Sequence, residues 1–302
     1  MATEITIRVP NGEGDPVIAW ALEGALGEFE NVGTACTRFD PTSPLMRANA
    51  SPERWHRVPR TCFEAIASAH SAYTRTRGMF DPRILRDLAS LGYDRSLPFL
   101  QGEVTLDRPA APRRADLGPW RPRFRGASNE VLLGGHPIDL GGIGKGLALR
   151  SAAARLAVVV PDFLIEAGGD CWCSGRAQGG DLWRIGVEDP FGGDRPVAVL
   201  ELRDQACTTS SIRIRRWKVA GRNFHHILDP RTGQPGGTGL LSVTVIGRDP
   251  AESEVWSKVL LLEGAAGVGR AAERRHLAAL WVTSEGELRS SRAATRYVLW
   301  KA

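Results

Sequence analysis

The segment Phe224-His225-His226-Ile227-Leu228-Asp229-Pro230-Arg231-Thr232-Gly233-Gln234-Pro235 leaves its backbone few options. Asp-Pro favours turn initiation because the proline ring fixes φ, and Gly233 frees the chain to take a positive φ. The pattern predicts a strand ending near the histidines and a hairpin turn centred on residues 229–233. A histidine at such a strand end is held in one geometry. That suits an imidazole facing a substrate, and equally a hydrogen-bonded histidine in an ordinary hairpin. His225 falls on the opposite strand face from His226 and reads as structural.

A second segment, Ile138-Asp139-Leu140-Gly141-Gly142-Ile143-Gly144-Lys145-Gly146-Leu147-Ala148, runs from apolar residues through a glycine-rich turn into a helix-like stretch ending near Val159. Glycines let backbone N–H groups approach phosphate oxygens, and a helix N-terminus favours negative charge. The segment is not a Walker A loop, because Asp139 stands where the first glycine belongs and Gly146 follows the lysine. The glycine spacing also misses the dinucleotide fingerprint. A turn that only packs a helix onto a sheet has the same appearance.

The remaining pattern is that of an α+β protein. Strands are expected over Ile5 to Val9, Phe163 to Glu166, Trp183 to Val187, Ala198 to Leu202, Leu241 to Ile246, Ala279 to Val282 and Thr295 to Trp300, with a strand pair over Val131 to Leu140. Helices are expected over Val17 to Phe29, Pro59 to Arg77 (Phe63, Ile66, Ala67 and His70 along one face), Ser253 to Leu262 and Ala265 to Leu277. The Pro- and Arg-rich stretch 103–127 reads as an irregular connection and an internal seam within one domain spanning 1–302.

Charge narrows the partners. A net charge of +5 comes from 35 Arg and only four Lys against 34 acidic residues, spread along the chain without a nucleic-acid-binding motif, so no nucleic acid is expected. Scarcity makes Lys145 and Lys258 hard to dismiss as surface filler. No apolar run approaches the length of a membrane span. The five cysteines are odd in number, and Cys171-x-Cys173 lacks a second pair at zinc spacing, so they read as small buried residues.

Five segments in order carry a resemblance. Gly78-Met79-Phe80-Asp81-Pro82 is followed by Gly92-Tyr93, then by Asp139-Leu140-Gly141-Gly142 with Lys145-Gly146. After these come Ile165-Glu166-Ala167-Gly168-Gly169-Asp170, the Thr209-Ser210 segment, and His226-Ile227-Leu228-Asp229-Pro230-Arg231-Thr232-Gly233-Gln234-Pro235. From about Thr37-Arg38-Phe39-Asp40 to the C-terminus, the chain resembles the ApbE-like FAD:protein FMN transferases. The resemblance implies an α+β fold with a T-fold-like core, mainly antiparallel sheets and flanking helices. It implies FAD as substrate, Mg²⁺ as cofactor, and an acceptor protein whose Ser or Thr hydroxyl receives FMN as AMP leaves. His226 is the implied catalytic base. Phe39, Met79, Phe80, Asp81, Asp139, Lys145 and Ile227 are the implied FAD contacts. Many family members are exported lipoproteins. Residues 1–5 show no basic n-region, apolar h-region or lipobox-like Cys, so either a cytoplasmic location or a chain whose signal has been removed is expected.

The departures fall at the metal. The family's Ala-Asp-Ala-x-x-Thr, whose Asp and Thr bind Mg²⁺, reads Ser253-Glu254-Val255-Trp256-Ser257-Lys258 here. Glu254 keeps a hard oxygen ligand one methylene longer, whereas Lys258 puts a cation four residues on along the same helix face. At Gly142 only a backbone carbonyl is left as the third ligand. Lys258 either points away or pairs with Glu254 and replaces part of the metal's charge, so weakened Mg²⁺ binding is expected. Where a Tyr often follows the Thr-Ser segment, the chain carries Arg213, Arg215 and Arg216. FAD hydrolysis to FMN and AMP, and non-catalytic FAD binding after loss of the metal, are the alternative readings.

Overall fold

A seven-stranded antiparallel sheet organises the chain. The computed structural model describes residues 4–12, 14–97 and 117–302, together with the backbone of 104–106. The strand order across the sheet is Ile5–Arg8, Phe163–Ala167, Asp170–Ser174, Gln205–Ser211, Leu240–Gly247, Ala278–Thr283 and Leu288–Ser290. Side-chain alternation sorts its two faces. Phe163, Ile165 and Ala167 pack under helices, while Leu164, Cys171, Cys173 and Cys207 face a second layer built on strands Trp183–Val187, Ala198–Leu202 and Val298–Lys301. The α+β expectation holds, and all five cysteines are free and buried.

The helical layer consists of α1 (Pro16–Cys36), α2 (Pro44–Ala50), α3 (Arg60–Arg75), α4 (Leu85–Ser90), α5 (Gly144–Leu156), α6 (Pro250–Leu262) and α7 (Gly264–Arg274). Asp15, Ser43 and Asp249 cap α1, α2 and α6 through their side chains, each followed by proline in the first turn. The buried face of α3 is Cys62, Ala65, Ile66, Ala69 and Ala72. Phe63 and His70 sit at its rim, with ring centroids 5.7 Å from Phe124 and 5.4 Å from Trp120 respectively. No described helix is long and apolar enough to cross a membrane.

Two expectations need correction. Only Glu130–Leu132 of the strand pair expected over 131–140 is a strand. Gly134 and Gly135 take φ of 83° and 85°, which turns the chain away, and the Asn49 side chain then mimics a strand partner: it accepts from the Ile138 N–H and donates to the Ile138 carbonyl, both at 2.8 Å. At the C-terminus, Arg292–Tyr297 forms a 3-10 turn around the fully buried Ala294, so the last strand begins only at Val298. The segment expected to be irregular over 103–127 lies partly outside the described residues. Its described parts pair as strands, 104–106 with Trp217–Val219 and Arg123–Arg125 with Glu130–Leu132.

Helices α5 and α6 come into backbone contact over Gly146. A Cβ there would lie 2.5 Å from Ala251 Cα and 2.5 Å from the Pro250 carbonyl oxygen, both backbone atoms of α6. Gly146→Ala is therefore expected to force α5 and α6 apart and destabilise the protein by about 1–3 kcal/mol, read from the urea midpoint. An unchanged midpoint would contradict this packing.

Candidate active site

The two Asp-Pro-Arg segments of the chain build the same device. Asp229 Oδ1 accepts from the Arg231 N–H at 2.9 Å, and the Arg231 guanidinium returns to both carboxylate oxygens. Asp81 Oδ1 likewise accepts from the Arg83 N–H at 2.9 Å, and Arg83 Nε and Nη2 grip the same carboxylate. Each aspartate thereby closes an Asx turn locked by a bidentate ion pair. Gly233 takes the expected positive φ of 66° and closes the first turn, with its N–H on the Asp229 carbonyl. Asp81 is committed to Arg83 and shapes the 79–83 loop. That loop accepts the Asp139 N–H at the Pro82 carbonyl, 2.7 Å away, which joins the first motif to the glycine-rich turn.

Asp139 is buried and fully engaged. Its Oδ1 accepts from the Gly141 N–H at 2.5 Å, and its Oδ2 pairs with Arg38 Nε at 2.8 Å. Arg38 lies over two aromatic rings, 4.3 Å from the Phe39 centroid and 4.2 Å from that of Tyr93. Phe39 stays 44% exposed, an unusual state for a ring fixed this way. Arg38 was missed as a site residue. Its only signal in the sequence is adjacency to Phe39.

The glycine-rich turn delivers α5 to the centre of the site. Helix α5 has no capping side chain of its own. Instead Glu254 of α6 reaches across, and its Oε2 accepts from the Gly146 N–H at 2.8 Å. A carboxylate at this helix end also complements the helix dipole. The other oxygen, Oε1, takes the Lys258 ammonium at 3.1 Å and stands 4.0 Å from Lys145 Nζ. Lys145 in turn pairs with Asp170 Oδ2, whose Oδ1 accepts from the Thr209 N–H at 2.8 Å. Of the two expectations for Lys258, pairing is what occurs. Its methylenes run beside Gly142, where a Cβ would sit 3.6 Å from them and 3.0 Å from the Phe80 ring. Asp170 stands in a sequence motif with no role assigned to it; a lysine as scarce as Lys145 needing a partner is the signal that points to it.

Electrostatics follow from this crowding. Burial pushes the Lys145 ammonium down to about 8, opposed by Glu254 and reinforced by Lys258 and Arg215. Burial raises the Glu254 carboxyl, but Lys258, Lys145 and the Gly146 N–H outweigh it and hold Glu254 below the usual carboxylate range. His226 is pushed well below the usual imidazole value by burial first, then by the charges of Arg215, Lys258 and His225. Its backbone N–H donates to the Arg215 carbonyl at 3.3 Å, and its ring Nδ1 is buried without a partner among the described residues. His226 is thus a neutral imidazole set against a cationic rim. His225, expected to be structural, also lacks an Nδ1 partner there and is pushed down by burial to about 4.

The expected site residues therefore fall into two joined groups. Phe39 and Asp139 meet through Arg38, while Phe80, Gly142, Lys145, Glu254, Lys258 and His226 surround one pocket of charge. Met79 packs between the two helical cores. Ile227 is buried against Leu240 and Val243 and serves packing.

An α+β sheet protein whose glycine-lined helix terminus sets Lys145 among buried carboxylates is what the fold and site define. The chain belongs to the ApbE family, whose model matches residues 1–281. A protein of Salmonella typhimurium named FAD:protein FMN transferase is 27% identical over 254 residues, covering 81% of this chain and 71% of that protein. One of the same name from Rhodobacter capsulatus is 30% identical over 220 residues, covering 71% of this chain but only 41% of its own length. Among solved structures, the ApbE protein of Thermotoga maritima matches with a TM-score of 0.78 at 26% identity, covering 98% of this chain and 95% of that one. The flavin transferase ApbE of Vibrio cholerae shares the fold, with a TM-score of 0.75 at 19% identity over 98% of this chain and 96% of that one.

The residues at the implied magnesium position do not fit that ion. A hard divalent cation needs several free oxygens. Both Glu254 oxygens are taken, one by a backbone N–H and one by an ammonium that is itself no ligand. Among the described residues no three His, Cys, Asp or Glu side chains gather around a common point.

The histidines also set an acid limit. Both imidazoles stay neutral in the folded protein below their ordinary value of 6.5, so the unfolded chain binds more protons between pH 6.5 and about 4. Stability is expected to fall as pH drops through that window, by up to about 1.4 kcal/mol per pH unit for each histidine. Urea titrations at stepped pH check this. His225→Gln combined with His226→Gln should flatten the slope; an equal slope in the double variant would contradict the assignment.

Proposed function

We propose that this protein is an FAD:protein FMN transferase acting as one domain over 1–302, with His226 as its general base. The observation that carries this reading is a buried imidazole held in its neutral form, its Nδ1 without a partner among the described residues, with the charges of Arg215 and Lys258 acting on it and Lys145 joined to Lys258 through Glu254. A diphosphate brings the negative charge such a rim attracts, and a base that is neutral near pH 7 accepts a hydroxyl proton.

The chemistry balances as follows. The hydroxyl oxygen of a Ser or Thr on an acceptor protein bonds to the phosphorus next to riboflavin, and its proton passes to His226. The bond from that phosphorus to the bridging oxygen breaks, and AMP leaves with the electron pair. Lys145, oriented by Asp170, meets the diphosphate, and the N-terminal end of α5 adds its dipole. Phe39, exposed beside Tyr93, offers a ring to the isoalloxazine, and Met79 and Phe80 wall the flavin side, while Ile227 stays in the core. Asp139 and Asp81 hold Arg38 and Arg83 and so fix the loops that carry these contacts. Mg²⁺, which the resemblance implies, has no step in this account.

Mass spectrometry of a flavinylation-acceptor peptide incubated with FAD and the protein tests the reading. An FMN adduct with an equal amount of AMP is expected, and His226→Ala should slow adduct formation by roughly 10²–10⁴-fold while FAD still binds. AMP without adduct would instead mean that water replaces the hydroxyl. Intact bound FAD throughout would mean a binding protein.

A further inference from the structure

Two departures from the family pattern, far apart in the chain, meet in space. Lys258 stands where a metal-binding threonine is usual, and Arg215 belongs to the arginine cluster that replaces a tyrosine. The Lys258 ammonium rests on Glu254 Oε1, with its methylenes against the Gly142 turn. Arg215 stands across from His226 just beyond the paired residues Arg216 and His225: its carbonyl accepts from the His226 backbone N–H at 3.3 Å, and its charge adds to the burial that holds His226 and Lys145 down. Both positive charges therefore act on the imidazole.

We propose that Lys258 and Arg215 together take the place of the divalent cation, so that this chain grips the FAD diphosphate with side-chain cations alone. The inference rests on the flavin reading and specifies how that site meets its ligand. The charge count matches, since one ammonium and one guanidinium carry the two positive charges of the ion. The geometry excludes the ion for the same reason. A divalent cation would have to share Glu254 Oε1 with the Lys258 ammonium 3.1 Å from it, and like charges in a buried site repel strongly. Guanidinium and ammonium are both good phosphate partners, the first bidentate and the second a point charge. The extra methylene of Glu254 completes the exchange. It carries the carboxylate to the Gly146 N–H, so the oxygens serve the helix end and Lys258 where the shorter family aspartate would serve a metal.

FAD binding by the full chain, followed by flavin fluorescence in excess EDTA and again in excess Mg²⁺, tests this without turnover. The dissociation constant is expected to agree within about twofold between the two conditions, and Mn²⁺ added with FAD should give no stoichiometric bound signal by electron paramagnetic resonance. Arg215→Ala, with its fold checked by circular dichroism, should weaken FAD binding in EDTA by about tenfold or more. The paired change Glu254→Asp with Lys258→Thr should create a metal requirement, with Mg²⁺ tightening FAD by about tenfold or more. Wild-type binding lost in EDTA and restored by Mg²⁺, or one tightly held Mn²⁺, would overturn the inference and leave the flavin reading standing. No FAD binding in either condition would reject both.

Discussion

The site depends on one buried carboxylate. Glu254 is 1% exposed, yet it takes a backbone N–H from the first turn of α5 and two ammonium groups from different helices. A buried charge is tolerated only when its partners are complete, and removing one partner of such a set costs about 3–5 kcal/mol. Glu254 therefore binds α5 to α6 and at the same time positions the cations that face His226. Gly146 makes this possible. With a Cβ at this position, the α6 backbone could not come close enough for a glutamate to reach the helix end.

From that junction the rest of the site follows by short, rigid links. Lys145 is steered by Asp170, which is itself anchored to the Thr209 N–H on the neighbouring strand. Asp170 opens its strand directly after the Gly168-Gly169 turn, so the central sheet sets the lysine's position. The two Asp-Pro-Arg turns fix the loops on either side, one beside Asp139 and the other after His226. Each link is a charge-assisted hydrogen bond with little side-chain freedom left. A phosphoryl-transfer site needs this arrangement, because most of its catalysis is positioning and charge.

Much of this could be read from the residues in order. Asp229-Pro230 with Gly233 announced the hairpin, and Gly141 to Gly146 announced a turn feeding a helix; both are local, and both are present. The failures share one cause, which is long-range pairing. Residues 131–140 look like a strand pair, but beyond Leu132 the chain turns at Gly134 and Gly135 and Asn49 of α2 partners Ile138, and no local pattern encodes that. Arg38, Asp170 and Arg215 were visible in the sequence without a role, because each acts on a residue distant in the chain. The fate of Lys258 was open between two outcomes. Helical spacing placed it on the Glu254 face, and only the approach of the Gly142 turn and Lys145 closed the choice.

The central claim is that cationic side chains around Glu254 hold a diphosphate against a neutral His226. A crystal structure of the complex with FAD, grown in EDTA, tests it most directly. The account expects the diphosphate oxygens within hydrogen-bonding distance of Lys145, Lys258 and Arg215, with the phosphorus next to riboflavin open to a hydroxyl beside His226. A diphosphate bound elsewhere, or ordered only after metal is added with Lys258 swung away from Glu254, would contradict it.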